Sequence, residues 1–365
     1  MLNKSYYPGL NELRALAALS VIPGHLEQMK MGFGFSSNDW YPIPGKVAVV
    51  LFFVISGFLI TTLLLKERTN TGKISLKKFY TKRVLRIWPL YFLLMGLSIF
   101  LLNRVAFFEI PGFSSALYQN LDRDAIILIL LVMPNYLHVI IPYATQTWSI
   151  GFEEQYYLFQ PFILKMVKRL WMIALLMLLI VFSPEILNSE ALSNYRIFHI
   201  IGEWAIYFGC IAVGSIGAIL CFSYPSFVKK VIHNRYTQIA VLLLFVVFIY
   251  MIQKAQDEYL IDFRWFAILF TVVVINAASN PQSFYNLKNR VLDYIGRISY
   301  GIYMYHIICI MIALKAAEYL SEYIGNHTVL LNLTIYGLTL LLAIGISALS
   351  FKYFEGWFLS FKRRL

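Results

Sequence analysis

The chain has 365 residues, of which 59% are hydrophobic and 14% charged, with a formal charge of +12 from 31 basic and 19 acidic residues. A soluble globular protein carries ~25% charged residues, so this chain cannot cover a water-facing surface of its size. Soluble enzymes, disordered chains and collagen-like repeats are excluded by the same numbers, and long unbroken apolar runs exclude a β-barrel. What remains is an all-α, polytopic membrane protein, read as a single integral-membrane domain over 1–365 with no soluble C-terminal domain.

A crossing helix needs ~20 mostly apolar residues. About ten runs qualify: 10–28, 46–65, 86–102, 150–166, 170–185, 204–222, 237–253, 263–278, 298–317 and 329–351. One more, 124–141, is interrupted by Pro134-Asn135. The first run lacks a clean cleavage site and carries Arg14 and His25, so it is expected to be retained and not to be a cleaved signal peptide.

An ionisable residue inside a span marks a functional site by default. Arg14 and His25 are eleven residues apart. That spacing is about 20° past three full turns, so both share a face, about 16 Å apart along the axis. They either line a shaft, or Arg14 snorkels to the inner interface while His25 caps the outer end. The second run, LFFVISGFLITTLLL, holds Ser56-Gly57 at mid-membrane. No GxSxG frame surrounds Ser56, so close helix packing or a narrow passage is favoured over a nucleophile.

The third run opens FYTKRVLRIWPLY. Arg83 and Arg86 are one helical turn apart, and paired guanidinium groups suit phosphate; positive-inside anchoring is the plainer alternative. The run TWSIGFEEQYYLFQP reads as a helix start, with Ser149 as N-cap and Glu153 and Glu154 in the first turn. Trp148, Gln155 and Tyr156 around them could line a sugar site. In GRISYGIYMYHIICI, Ser299, Tyr303 and His306 share one face, with His306 near mid-bilayer. Ser56, Tyr303 and His306 complete the candidate substrate-binding set.

His138, His199, His233 and His327 have no ligand spacing, so no metal site is expected. Cys210, Cys221 and Cys309 lie in apolar stretches without CxxC spacing and read as small core or lipid-facing residues.

Orientation follows charge. Lys66, Arg68, Lys73, Lys77, Lys78, Lys82, Arg83 and Arg86 place the loop at 66–86 in the cytoplasm. Both termini are then inside, with the basic clusters near Lys165, Lys229 and Lys288 and the tail Lys362-Arg363-Arg364. This assignment closes only if 124–141 does not cross, so a re-entrant segment is expected there. The +12 is therefore a gradient across the membrane, with Lys4 on the inner side, and nucleic-acid binding is not expected.

A phosphate-suited cytoplasmic mouth, a buried His on the face of an Arg, and far-side carboxylates and aromatics together suggest transmembrane group transfer. The motifs resemble membrane acyltransferase family 3, the polysaccharide O-acetylase type of bacterial inner-membrane enzyme. The resemblance rests on R-x10-H at Arg14 and His25, LFFVISGFLIT at 51–61, FYTKRVLRIWPLYF at 79–92 and TWSIGFEEQYYLFQP at 147–161, with GRISYGIYMYH at 296–306 as a weaker fifth match. These span most of the chain in the family's order.

The resemblance implies transfer of an acyl group, usually acetyl from acetyl-CoA, to a hydroxyl of an extracytoplasmic glycan or lipid-linked saccharide. It implies His25 as catalytic base or acyl relay, and Arg14 at the CoA end or supporting the site. Arg83 and Arg86 would hold CoA phosphates, and Glu154 would orient His25 or the acceptor. A separate periplasmic or extracellular partner protein could complete the transfer. A small acceptor such as a macrolide is an alternative. A transporter or flippase is the alternative of another class, against which stands the lack of an evident internal repeat.

Overall fold

A computed structural model of the chain describes residues 7–36, 44–111, 121–189, 196–255, 257, 260–285, 287–324 and 327–362. Lys4, Arg363 and Arg364, part of the expected inner charge, lie outside these. The described residues are helical, with no strand among them.

The ten expected runs all fall on helices. These are α1 (Pro8–Gly32), α2 (Gly45–Thr71), α3 (Leu76–Gly96), and, after a short α4 (Arg123–Leu130), α5 (Trp148–Met166) and α6 (Leu170–Val181). A one-turn α7 (Ser183–Leu187) precedes α8 (Arg196–Ser223), α9 (Arg235–Ala255) and α10 (Phe263–Ser279). The last are α11 (Arg290–Arg297), α12 (Ser299–Ile324) and α13 (Thr328–Leu349).

Six stretches are long and apolar enough to cross a membrane: 45–71, 76–104, 204–223, 235–255, 299–323 and 328–361. The helices α6 and α10 are apolar but shorter, at 12 and 17 residues. Twelve residues rise about 18 Å, against a hydrocarbon core of about 30 Å. The helices α1 and α5 are long enough, at 25 and 19 residues, but their polar side chains keep them out of the most apolar class. The chain is a multi-pass helical membrane protein.

The run 124–141 does not form one helix. Asp122 caps α4 by accepting from the Ala125 N–H at 2.8 Å. That hydrogen bond, helped by the His138 ring, holds its carboxyl below the usual carboxylate range. After eight residues the helix closes with the Val132 N–H on the Ile129 carbonyl and the Met133 N–H on the Leu128 carbonyl. This is a Schellman closure with a valine, φ 57°, where glycine is usual. The helix therefore ends before Pro134, which the sequence had marked as the interruption. Asn135 beyond it is buried against the start of α5, where a Cβ on Gly151 would strike its side-chain oxygen.

By packing, the chain forms two compact units. The first comprises Met1–Ala17, Pro42–Leu76 and Phe152–Gly296; the second comprises Ala18–Tyr41, Lys77–Gly151 and Arg297–Leu365.

In the first unit α2 is buried along most of its length against α8. Gly57 and Gly214 make this approach possible, because a Cβ on either would collide with the facing backbone, at Ile211 and Val54 respectively. Buried polar groups join these helices to each other and to α5. The Ser215 hydroxyl donates to the Gly57 carbonyl (3.1 Å) and pairs with the Tyr156 hydroxyl (2.8 Å). Gln160 donates to the Thr61 hydroxyl at 2.9 Å. Arg68 covers the last carbonyls of α5, donating to Leu164 and Val167 at 2.9 Å each. Glu12 on α1 accepts from the Leu287 and Asn289 N–H groups, and Asn11 donates to Asp293 at 2.9 Å.

The second unit is built on α12, buried over most of its length, with the C-terminal half of α1, α3, α4 and α13. Its apolar core includes Leu102, Tyr143, Ile307 and Met311. The segment before α5 is pinned to α12: Gln146 donates to the Met304 carbonyl at 2.7 Å, and the Tyr303 hydroxyl donates to the Gln146 carbonyl at 2.9 Å.

Candidate functional site

The second unit brings His25, Tyr303 and His306 together. His25 is half-buried on α1 and His306 is fully buried on α12. His306 Nε2 is 3.1 Å from His25 Nδ1, with the ring centroids 4.9 Å apart. His306 Nδ1 lies 2.7 Å from the Tyr303 carbonyl oxygen, and His25 Nδ1 lies 3.3 Å from the Val21 carbonyl oxygen. The Tyr303 ring sits 5.8 Å from His306, and its hydroxyl pairs with Ser149 at 2.8 Å. His25 Nε2 takes no hydrogen bond among the described residues.

The sequence marked both histidines but not their pairing. Face-sharing on α12 named Tyr303 and His306, and spacing on α1 named His25. Contact between helices far apart in the chain has no local signal. Gln146, whose amide nitrogen also donates to the Tyr143 carbonyl at 3.0 Å, was not singled out. Its buried Oε1 has no partner among the described residues.

The start of α5 differs from expectation. A 3₁₀ turn at Thr145–Thr147 runs into the helix at Trp148, so Ser149 lies inside it and caps nothing. Its hydroxyl instead pairs with the buried Tyr303 hydroxyl at 2.8 Å. Glu153 and Glu154 fall in the second turn and do not face orphan N–H groups of the first. Trp148 is half-buried at this end of the second unit.

Arg83 and Arg86 are half-buried on α3, one turn apart. The Arg83 guanidinium lies over the Phe79 ring, 5.6 Å from its centroid. Arg86 acts electrostatically on the buried carboxyl of Glu355, which accepts from Ser350 at 3.4 Å. Arg86 therefore has a carboxylate of its own unit to answer.

The remaining candidates belong to the first unit. Arg14 and Ser56 are half-buried on α1 and α2. Glu154 is half-buried on α5, and its neighbour Glu153 accepts from Tyr157 at 2.5 Å. Gln155 is buried. Tyr156 is buried with its hydroxyl engaged by Ser215 and by the Met177 sulfur at 3.0 Å.

Comparison with known proteins places the chain in a family. The family described as "Acyltransferase domain" matches residues 7–351. A Staphylococcus aureus (strain COL) protein with the provisional name O-acetyltransferase SACOL0978 is 27% identical over 383 residues, covering 96% of this chain and 57% of that protein. O-acetyltransferase OatA of Staphylococcus aureus (strain NCTC 8325 / PS 47) is 28% identical over 341 residues, covering 84% of this chain and 51% of that protein. The chain thus spans about half the length of these relatives. No solved structure matches it. The match over nearly the whole chain shows that this protein belongs to the acyltransferase family.

Proposed function

We propose that the protein is a membrane O-acetyltransferase that moves an acetyl group from cytoplasmic acetyl-CoA to a hydroxyl of an extracytoplasmic glycan or lipid-linked saccharide. The observation that carries this reading is His25, on α1 of an acyltransferase-family chain, whose Nε2 has no hydrogen-bond partner among the described residues. In this reading Nε2 takes the proton of the acceptor hydroxyl, and the oxygen attacks the thioester carbonyl. The C–S bond breaks, the CoA thiolate takes the proton from the imidazolium, and acetyl ester and free CoA result. Radiolabelled acetyl-CoA supplied to membranes, with mass spectrometry of surface glycan from cells with and without the gene, tests it. Label that stays with CoA and an unchanged glycan would overturn it, and label on a small hydroxylated acceptor would move the acceptor assignment.

Arg83 and Arg86 are proposed to hold the CoA phosphates. Arg83, whose guanidinium lies over the Phe79 ring, is the residue tested. Arg83→Ala is expected to weaken acyl-CoA binding about 10- to 100-fold, the scale of a lost charge-assisted hydrogen bond. The deficit is measured by direct titration at several salt concentrations. Unchanged binding would leave the arginines as topological anchors.

The proposed topology has ten crossings, both termini in the cytoplasm of a bacterial inner membrane, and residues 124–141 re-entrant from the outer face. The eight-residue α4, its closure at Val132 and the burial of Asn135 support a non-crossing segment, because irregular backbone at membrane depth is tolerated when protein surrounds it. A cysteine tag at Thr145, the exposed position within 142–147, is expected to react from outside only. Reaction from the cytoplasm would invert every later loop.

A further inference from the structure

The proton positions in the histidine pair follow from its carbonyl neighbours. A carbonyl oxygen only accepts, so His306 Nδ1, 2.7 Å from the Tyr303 oxygen, carries a hydrogen. A neutral imidazole has one N–H, so His306 Nε2 is a lone pair. That lone pair faces His25 Nδ1 at 3.1 Å, and the contact is a hydrogen bond only if His25 donates. The Val21 carbonyl, 3.3 Å from the same nitrogen, requires the same proton there. Two neutral rings therefore form one directed chain, from His25 Nδ1–H to His306 Nε2 and from His306 Nδ1–H to the Tyr303 backbone. The consequence falls on the atom at the open end, where His25 Nε2 is left with its lone pair.

The far end of the chain is fixed. Tyr303 is held on three sides: its hydroxyl pairs with Ser149 and donates to the Gln146 carbonyl, while the Gln146 amide grips the next carbonyl at Met304. His306 has no exposed surface and belongs to a helix buried over most of its length. The half-buried His25 ring is the one with freedom to rotate, and His306 restrains it.

We propose that His306 is a positioning residue for acyl transfer, accepting a hydrogen bond from His25 Nδ1–H so that His25 Nε2 is presented as the base. This rests on His25 being the base, as proposed above. His306 then touches neither donor nor acceptor, and its expected place among the substrate-binding residues is replaced by a role exerted through His25. When Nε2 takes the acceptor proton, the charge spreads over the His25 ring, and the hydrogen bond from Nδ1–H to His306 strengthens in the transition state. No proton need leave the pair: the one gained at Nε2 passes on to the departing thiolate.

The test uses the full chain in lipid nanodiscs with acetyl-CoA as donor, and compares His306→Phe, His306→Gln and His25→Ala. Phenylalanine keeps a flat ring and removes the acceptor. Glutamine puts a side-chain carbonyl near the place of Nε2 and cannot titrate. His306→Phe is expected to lower kcat by about 100-fold or more, the scale on which a lost tautomer partner acts, with KM for both substrates nearly unchanged. His306→Gln is expected to recover kcat to within about tenfold of the parent. Imidazole ¹⁵N spectra, with the His25 signals assigned by their loss in His25→Ala, are expected to report protonated Nδ1 and bare Nε2 in the parent and in His306→Gln, and a mixture of tautomers in His306→Phe.

Unchanged kcat in His306→Phe, with His25→Ala inactive, overturns the positioning role and leaves the base in place. Equal losses in Phe and Gln variants that stay monodisperse point to packing and also overturn it. A rise in KM in place of a fall in kcat puts His306 against substrate, and the positioning role falls in that case too. An active His25→Ala overturns the base itself, an outcome separable from all of these.

Discussion

Replacing His25 by alanine is expected to lower acetyl transfer by about 10²–10⁴-fold, the contribution of a positioned general base. The expectation does not depend on the protein losing its fold. The substitution leaves His306 Nε2 without its donor, and one unsatisfied buried group costs about 1–3 kcal/mol. A stability of about 5–15 kcal/mol absorbs that loss. The variant should therefore insert, purify and bind acyl-CoA like the parent while failing at the chemical step. Transfer of labelled acetyl in membranes, normalised to inserted protein, reads the result, and wild-type transfer would sink the mechanism. The same chemistry sets the sign of the pH response. A base works only while its lone pair is free, so transfer should fall as acid protonates Nε2. An activity that rises on acidification would assign the proton transfer elsewhere.

The class of the fold was legible because bilayer physics leaves few choices. A chain with so little charge and runs this long must satisfy its backbone inside helices, and the ten runs expected to cross fall on helical segments. Where helices end was less legible. The run 124–141 was read as broken by Pro134, yet α4 closes two residues earlier through a valine in the left-handed region, a conformation that composition does not announce. The start of α5 departs from local preference for a related reason. Ser149 has the chemistry of a cap, but a buried tyrosine on α12 competes for its hydroxyl, and tertiary demand outweighs local preference. For the candidate site, single-helix periodicity was sufficient to mark His25, Tyr303 and His306. Their pairing required two helices about 280 positions apart in sequence to meet, which no periodicity encodes.

Replacing Lys30 by alanine is expected to destabilise the protein by about 3–5 kcal/mol, the cost of stranding one member of a buried ion pair. Lys30 has no exposed surface, and it donates to both oxygens of Glu27 at 3.1 Å and to Asn332 on α13 at 2.8 Å. Glu27, also buried, accepts from the Tyr336 hydroxyl of α13 at 2.6 Å. The pair thus ties the C-terminal end of α1 to α13, just beyond the residue whose ring meets His306. Sequence patterns do not reveal it, because a Glu and a Lys near a span end look like interface residues. A buried pair is weak evidence for net stability, since apolar residues of similar volume often serve as well. The decisive comparison is therefore between the single variant and Glu27→Leu with Lys30→Leu together. The single variant should lower the midpoint of unfolding in detergent sharply, and the double variant should recover most of it. Transfer activity separates the two roles the pair can have. If it only holds α1, the double variant regains activity along with stability. If its charges also set the field at His25, the double variant is stable and still slow. A Lys30→Ala protein as stable as the parent would mean that Glu27 finds other compensation, and that the C-terminal end of α1 does not depend on the Lys30 charge.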